Sequence, residues 1–337
     1  MSSAFTAFLR QKSDGDIIKT METFEKLISD FPKQFAFEPR VENAENLPRA
    51  KSFVVGGMGG SHLAADLIKA TEPNFDLIIH KNYGLPKLPT HTNLTEKLFI
   101  AVSYSGGTEE TLDFAEQALT KKYALAVISK GGKLIAFARK NNLPHIILPE
   151  VGLPPRMATG FMIVALLKLM GQESEITALQ AARFAVEPSK KIAEIIGNKI
   201  PLFYASEQNK AIAYFWKIII NETSKQPVFA NVFPELNHNE MTGFSNSDRI
   251  NDFIFVFFKD ENDNSRIIKR MAVTKQMLTE LGGNVSEINL IGATRWEKII
   301  NSVMLTHWTA YYIALIKNLD PLSTPMIEEF KKLIVDN

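Results

Sequence analysis

Cysteine is missing from the 337-residue sequence, and with it go disulfides, thiolate catalysis, iron–sulfur clusters and cysteine-held zinc. A charge excess is missing too: 38 Lys and Arg stand against 37 Asp and Glu, for a formal net charge of +1. With no basic block along the chain either, nothing points to nucleic acid. Hydrophobic runs are short. The most apolar, Ala211 to Ile220, is interrupted by Lys217 and falls well below the ~20 residues of a membrane span. Met1 to Asp16 mixes polar and apolar residues without the apolar core of a signal peptide. Low-complexity segments and residue-level repeats are absent. These absences predict a soluble, cytoplasmic chain with no nucleic-acid or membrane partner.

What is present is the material of an ordinary globular protein. A hydrophobic share of 45% with 22% charged residues supplies buried cores, and the length suits two domains of about 150 residues each. After a helical Ile17 to Ile28, short apolar runs alternate with helical patterns. Strands are expected at 52–55, 77–79, 98–102, 124–128 and 145–148, with helices at 63–70, 112–119, 134–140 and 157–170. Polar residues 171–176 make a boundary, so the predicted domains are 1–172 and 173–337. The second series has strands at 202–204, 253–258 and 285–291 and helices at 211–224, 267–281, 296–316 and 325–334. Continuous apolar strands separated by helices predict an α/β fold, two doubly wound domains each with a mainly parallel sheet flanked by helices.

One loop carries the chemistry. Ser103-Tyr104-Ser105-Gly106-Gly107-Thr108 follows a strand and opens a helix. A helix start offers unpaired N–H groups and the positive end of the dipole. Ser103, Ser105 and Thr108 add hydroxyls, and each hydrogen bond to a charged phosphate is worth about 1.5–3 kcal/mol. The bland alternative makes Thr108 only a helix cap, with Glu110 and Thr111 in the first turn. A second loop, Gly56 to Ser61, also joins strand to helix, and two such loops at one sheet edge form a ligand crevice. The dinucleotide pattern fails because His62 stands where its third glycine belongs, and the nucleoside-triphosphate loop fails because Leu134 follows Gly132-Lys133. A phosphate monoester fits better.

Gly-Met-Gly-Gly-Ser (57–61) and Ser-Tyr-Ser-Gly-x-Thr-x-Glu-Thr (103–111) resemble the two signature loops of the sugar isomerase (SIS) domain. Leu-Pro-Pro-Arg-Met-Ala-Thr-Gly (153–160), Asn-Glu-Thr-Ser-Lys (221–225), Pro-Glu-Leu-Asn-His-Asn-Glu (234–240) and Asp-Pro…Thr-Pro…Lys (320–331) narrow the resemblance to the bifunctional phosphoglucose/phosphomannose isomerases. The matches run in order from about residue 50 to 331. Gly107 departs from the usual Asn, and His62 to Ala65 replaces a more glycine-rich helix start.

The resemblance implies two SIS-type domains and a cofactor- and metal-free isomerase of glucose 6-phosphate and mannose 6-phosphate. It assigns the phosphate to Gly59, Gly60, Ser61, Ser103, Ser105 and Thr108. Glu222 becomes the base that moves a proton between adjacent carbons. Read alone, a carboxylate at a helix end before Pro227 is more often a surface group paired with Lys225. His238 is implied in ring opening, supplied across a homodimer, although a lone loop histidine is usually just solvated. Arg156 is implied as the stabiliser of an enediolate; its bland reading is a surface residue at a helix start. Lys331 is placed near the ring oxygen, against a bland reading as part of a charged, solvated face. Thr324 leaves room for both epimers at C2.

The remaining histidines, His62, His80, His91, His145 and His307, are scattered and form no His-Glu-x-x-His pattern. A non-catalytic phosphosugar-sensing SIS module would need only the two loops, and it is the competing expectation. A lyase or aminotransferase would need a nitrogen-handling partner domain.

Overall fold

The computed structural model describes residues 14–88, 94–184, 190–246 and 248–335. His91 and the amino-terminal stretch through Ser13 lie outside the described residues. The chain divides into two compact units. One holds residues 30–184 and 293–299; the other holds 14–29, 190–292 and 300–335 among those described. Helix α1 (Asp14–Ser29) belongs to the latter.

The first unit is built on β1 (Val41–Glu42), β2 (Ser52–Gly56), β3 (Leu77–His80), β4 (Lys97–Val102), β5 (Ala124–Ser129) and β6 (His145–Ile147). They form one sheet in the order β1-β6-β5-β4-β2-β3. All neighbours are parallel except β1 with β6. β2 and β4 are buried along their whole length, because a central parallel strand is covered on both faces. Helices α2 (Gly60–Thr71), α3 (Glu109–Thr120), α4 (Gly132–Lys140), α5 (Thr159–Leu169) and α6 (Glu173–Ala181) complete the unit. Val54, Phe99 and Val127 share a core with Phe114 of α3 and Leu134 of α4, while α2 packs against α5. The polar stretch 171–176 leads into α6, where Glu175 accepts a hydrogen bond from Trp296 Nε1 at 2.7 Å.

The strand order positions the site. From β2 the chain steps to β3, then returns to β4 on the other side of β2. The loops that follow β2 and β4 therefore open side by side at the carboxyl edge, at the point where the order reverses.

The second unit carries α7 (Lys190–Ile196), β7 (Ile200–Ser206), α8 (Lys210–Ser224), β8 (Phe229–Phe233), β9 (Phe253–Lys259), α9 (Ser265–Glu280) and β10 (Asn284–Asn289). It also holds α10 (Arg295–Ile316) from residue 300 onward and α11 (Pro325–Val335). Its four strands are all parallel, in the order β10-β9-β7-β8. Tyr204, Phe255 and Phe257 pack with Leu278 of α9. The Trp216 indole donates to Ser302 Oγ at 2.9 Å, which ties α8 to α10. Tyr311 of α10 stacks on Phe24 of α1 and donates to Glu25.

Two mainly parallel sheets flanked by helices are what the alternating pattern predicts. β8, α6 and α7 escape it. β8 is an edge strand whose Phe229 is exposed, and the two helices are short, of nine and seven residues. The apolar-run reading also undervalued α10. Among the described residues it is the one helix long and apolar enough to cross a membrane, and 78% of that window is buried, as in a core helix.

Candidate functional site

The loop after β2 turns sharply at Gly59, which has φ +53°, and delivers Gly60, Ser61 and His62 in buried positions. Gly60 lies against another chain segment: a Cβ there would come 2.8 Å from the backbone N of Arg156. His62, one of the departures from the family pattern, is a core residue. Its Nδ1 meets Asp66 at 2.6 Å, and Asp66 also accepts from Lys81 at 2.8 Å.

The loop after β4 closes on itself and on its neighbour. Ser103 and Thr108 hydroxyls share a hydrogen bond at 2.9 Å, and Gly106 N–H donates to Ser103 Oγ at 3.1 Å. Tyr104 N–H donates to Ser61 Oγ at 3.0 Å, joining the two loops directly. Thr108 does precede α3, but its side chain makes no capping bond; its hydroxyl pairs with that of Ser103, and where Ser103 is the donor Thr108 keeps its own proton to give. Ser103 is buried, Thr108 half-buried and Ser105 exposed. Ser61 accepts through its oxygen and keeps its own proton to donate, as an oxyanion ligand requires. Glu109 in the first turn of α3 accepts from the Tyr83 hydroxyl.

A third turn, after β5, supports this loop and was missed by sequence reasoning, which tested Gly132 only as part of a triphosphate motif. Lys130 N–H donates to Tyr104 O at 3.2 Å and Leu134 N–H to Gly106 O at 2.9 Å. Ser129 Oγ donates to Gly131 O at 2.9 Å. Gly106 (φ +72°) and Gly132 (φ +69°) both take the left-handed conformation where the two turns touch. A cue was available, since Ser129 to Gly132 is another small-residue turn between strand and helix.

Tyr104 itself is buried, its hydroxyl has no hydrogen-bond partner, and burial pushes the phenol up to about 12. The neutral form is favoured in the fold, so this contribution is intact below the unfolded value of ~10. It is lost as pH rises through about 12. Tyr104→Phe is expected to cost no stability at pH 8, because an unsatisfied hydroxyl leaves the interior. The variant should also lose less stability than the wild type between pH 8 and pH 11 in urea unfolding. Equal losses would show that the phenol is not the titrating group.

Arg156 sits on a 3-10 turn, Pro155–Met157, just before α5. It is 2% exposed, so the reading of a surface residue at a helix start is overturned. Its carbonyl accepts from Thr159 Oγ1 at 3.1 Å, and the Gly60 contact fixes the peptide in front of it. The first unit thus gathers Gly59, Gly60, Ser61, Ser103, Ser105, Thr108 and Arg156.

The other predicted residues lie in the second unit. Glu222 is half-buried in the last turn of α8. Lys225, in the left-handed conformation that ends the helix, donates to the carbonyls of Thr223 and Asp320. That bond brings the Glu222 turn to the segment that continues to Thr324 and α11. Thr324 is half-buried, and its carbonyl accepts from Ile327 and Glu328 N–H at the start of α11. Lys331 is exposed on α11, in keeping with its bland reading.

His238 is exposed at the end of a 3-10 turn, Glu235–His238. Asn237 Nδ2 anchors this turn to Thr274 Oγ1 of α9 at 2.8 Å. Beyond it, Glu240 accepts from Asn231 Nδ2 and from the Tyr204 hydroxyl. Burial and the Glu240 carboxylate together push the Tyr204 phenol far up. Sequence reasoning missed Glu240, whose partners come from β7 and β8.

The second sheet also reverses order, between β7 and β9, but the groups there have the opposite character. Asp260, Asp263, Asn209 and Ser206 are buried. Asn209 Nδ2 donates to Ser206 Oγ at 3.0 Å and to Asp263 Oδ1 at 3.2 Å. Two buried carboxylates stand here where the first sheet has only hydroxyls, which disfavours an anion in this crevice. Among the described residues no three His, Asp or Glu side chains gather as metal ligands.

Residues 185–334 match the bacterial phospho-glucose isomerase C-terminal SIS domain. A bifunctional phosphoglucose/phosphomannose isomerase of Aquifex aeolicus is 30% identical over 322 residues, 93% of this chain and 98% of that one. One from Caldicellulosiruptor bescii is 31% identical, covering 84% of this chain and 89% of its own. Among solved structures, a glucosamine-6-phosphate deaminase of Thermotoga maritima superposes with a TM-score of 0.63 at 16% identity, over 91% of this chain and 97% of its own. That likeness speaks to the fold alone. The near-complete coverage by the Aquifex relative decides the matter: the chain belongs to the family of bifunctional phosphoglucose/phosphomannose isomerases.

Proposed function

We propose that the protein interconverts glucose 6-phosphate, and mannose 6-phosphate, with fructose 6-phosphate through a cis-enediolate, without a metal. The observation that carries this reading is the Ser61–Tyr104 bond. It joins two small, hydroxyl-bearing loops at one switch point, beside the Ser103–Thr108 pair. The sugar's phosphate takes its hydrogen bonds from Ser61, Ser105, Thr108 and the N–H groups of the Gly59–Gly60 turn; Gly106 N–H stays bonded to Ser103 Oγ, and Ser103 holds the loop in shape.

Isomerisation then asks for ring opening and a proton shift. His238, with Lys331 near the ring oxygen, passes a proton to O5 as C1–O5 breaks, and the C1 hydroxyl gives up its own proton, leaving the open-chain aldehyde with the net proton count unchanged. Glu222 takes the proton from C2, and the electron pair moves into the C1–C2 double bond of the enediolate. As the O2 proton passes to O1, the same carboxylic acid returns its proton to C1, leaving the ketone at C2. The charge that develops on oxygen is met by Arg156. A guanidinium stays charged when buried and offers a fork of donors, so it can stabilise an oxyanion without a metal ion. Thr324, short and half-buried, leaves room for either epimer at C2.

The exposure of His238 on an anchored turn supports its donation to a second copy, hence a homodimer. The burial of α10 supports a cytoplasmic enzyme. A coupled assay with glucose 6-phosphate and mannose 6-phosphate, run in EDTA, is expected to give turnover of both. Binding of either sugar phosphate without turnover would favour the sensing module, and loss of activity in EDTA would overturn metal independence.

A further inference from the structure

The second unit has a groove whose lining includes none of the residues given a part in the isomerase reaction. It has a volume of about 380 Å³ and lies between α9 and the turn that precedes Met241. Arg266, Lys269 and Arg270 line it, and together with Val273 and Met277 they occupy one face of α9 at helical spacing. Lys275, further along the helix, pairs with Glu287 at 2.8 Å. The three groove cations form no ion pair with any described carboxylate.

Their position makes this unusual. Arg266 and Lys269, and Arg266 and Arg270, stand three and four residues apart on α9, and like charges at that spacing repel until an anion comes between them. The groove is also shaped rather than merely charged. Asn237 Nδ2 donates to the buried Thr274 Oγ1 at 2.8 Å, and Asn237 Oδ1 accepts from Arg270 Nη1 at 3.4 Å. This orients the guanidinium at the groove wall. Met241, Val273 and Met277 add an apolar strip beside the cations.

We propose that this groove binds a phosphorylated small molecule with a second anionic group. Side chains at i and i+4 on a helix lie roughly 5–6 Å apart at their Cβ atoms. Arg266 and Arg270 can therefore each take one anionic group through charge-assisted hydrogen bonds, with Lys269 beside them. The strip of Met241, Val273 and Met277 covers the carbon frame between the groups. The groove's lining lies wholly in the second unit and shares no residue with the Ser103–Thr108 loop, so it does not depend on the isomerase reading.

Inorganic pyrophosphate is the probe, titrated calorimetrically into three proteins. The wild type is expected to show two classes of site. Arg266→Ala/Lys269→Ala, at two exposed positions that the fold does not need, should lose the groove class, with affinity at least tenfold weaker. Ser103→Ala/Thr108→Val should keep it. A wild type with a single class that survives Arg266→Ala/Lys269→Ala and disappears in Ser103→Ala/Thr108→Val overturns the groove site. So does a second copy of the chain seated over the groove, which would leave it closed to the probe. A single class lost in Arg266→Ala/Lys269→Ala supports the groove and counts instead against phosphate binding at the loop.

Discussion

Glu222→Gln is expected to lower turnover of glucose 6-phosphate by about 10²–10⁴-fold, the usual share of general-base catalysis, while the protein stays folded. Glutamine has the size and shape of glutamate, so the half-buried position in the last turn of α8 remains filled. The helix end carries partial negative charge, and a carboxylate there is disfavoured by about 0.3–1 kcal/mol at most exposed sites. Removing the charge lifts that penalty, so any change in thermal stability should be small. Bonds from Lys225 to the Thr223 and Asp320 carbonyls do not involve the Glu222 side chain, so the turn keeps its shape. The decisive combination is an unchanged melting temperature with a collapsed kcat. Near-wild-type turnover would remove Glu222 from the mechanism, and a lower melting temperature would make the loss structural.

Gly106→Ala is expected to damage both the fold and the phosphate site. A Cβ at residue 106 would stand 1.9 Å from the carbonyl oxygen of Gly131, and the residue has φ +72°. The left-handed conformation alone costs an L-residue about 1–2 kcal/mol. The contact is with backbone, which cannot swing aside, so the total should exceed about 3 kcal/mol. Relief requires separating the turns that Lys130 N–H and Leu134 N–H hold together. Substrate affinity should fall with stability as the Ser103–Thr108 pair is lost. Gly107→Asn is the control: a Cβ there meets nothing within 4 Å, and the change restores the family's usual residue. Equal melting temperatures for the two variants would refute the packing argument.

The sequence disclosed whatever is local in the chain. Ser103 to Thr108 are six neighbours, so strand, turn and helix start were legible together, and so was the reason to expect a phosphate there. Continuous apolar runs such as Phe253 to Phe258 likewise announced central strands. Effects that depend on a distant partner stayed hidden. Thr108 looks like a helix cap until Ser103 takes its hydroxyl. Arg156 looks like a surface residue until its burial beside Gly60 is seen. Glu240, on a 3-10 turn, finds its partners only in Tyr204 and Asn231, which lie on strands β7 and β8. His62 breaks a glycine pattern in one dimension and closes an Asp66–Lys81 cluster in three.

The contact between Gly60 and the Pro155–Arg156 peptide has a consequence for how such chains diverge. Any side chain at residue 60 would overlap main-chain atoms at 2.8–3.0 Å, so that position cannot drift unless the arginine turn moves as well. Yet moving the turn would displace the buried guanidinium. Mutations at the two places, almost a hundred residues apart along the chain, are therefore tolerated only in concert. Lineages that change substrate should swap the two segments as a block, and a chimera that takes one from a relative without the other should fold poorly.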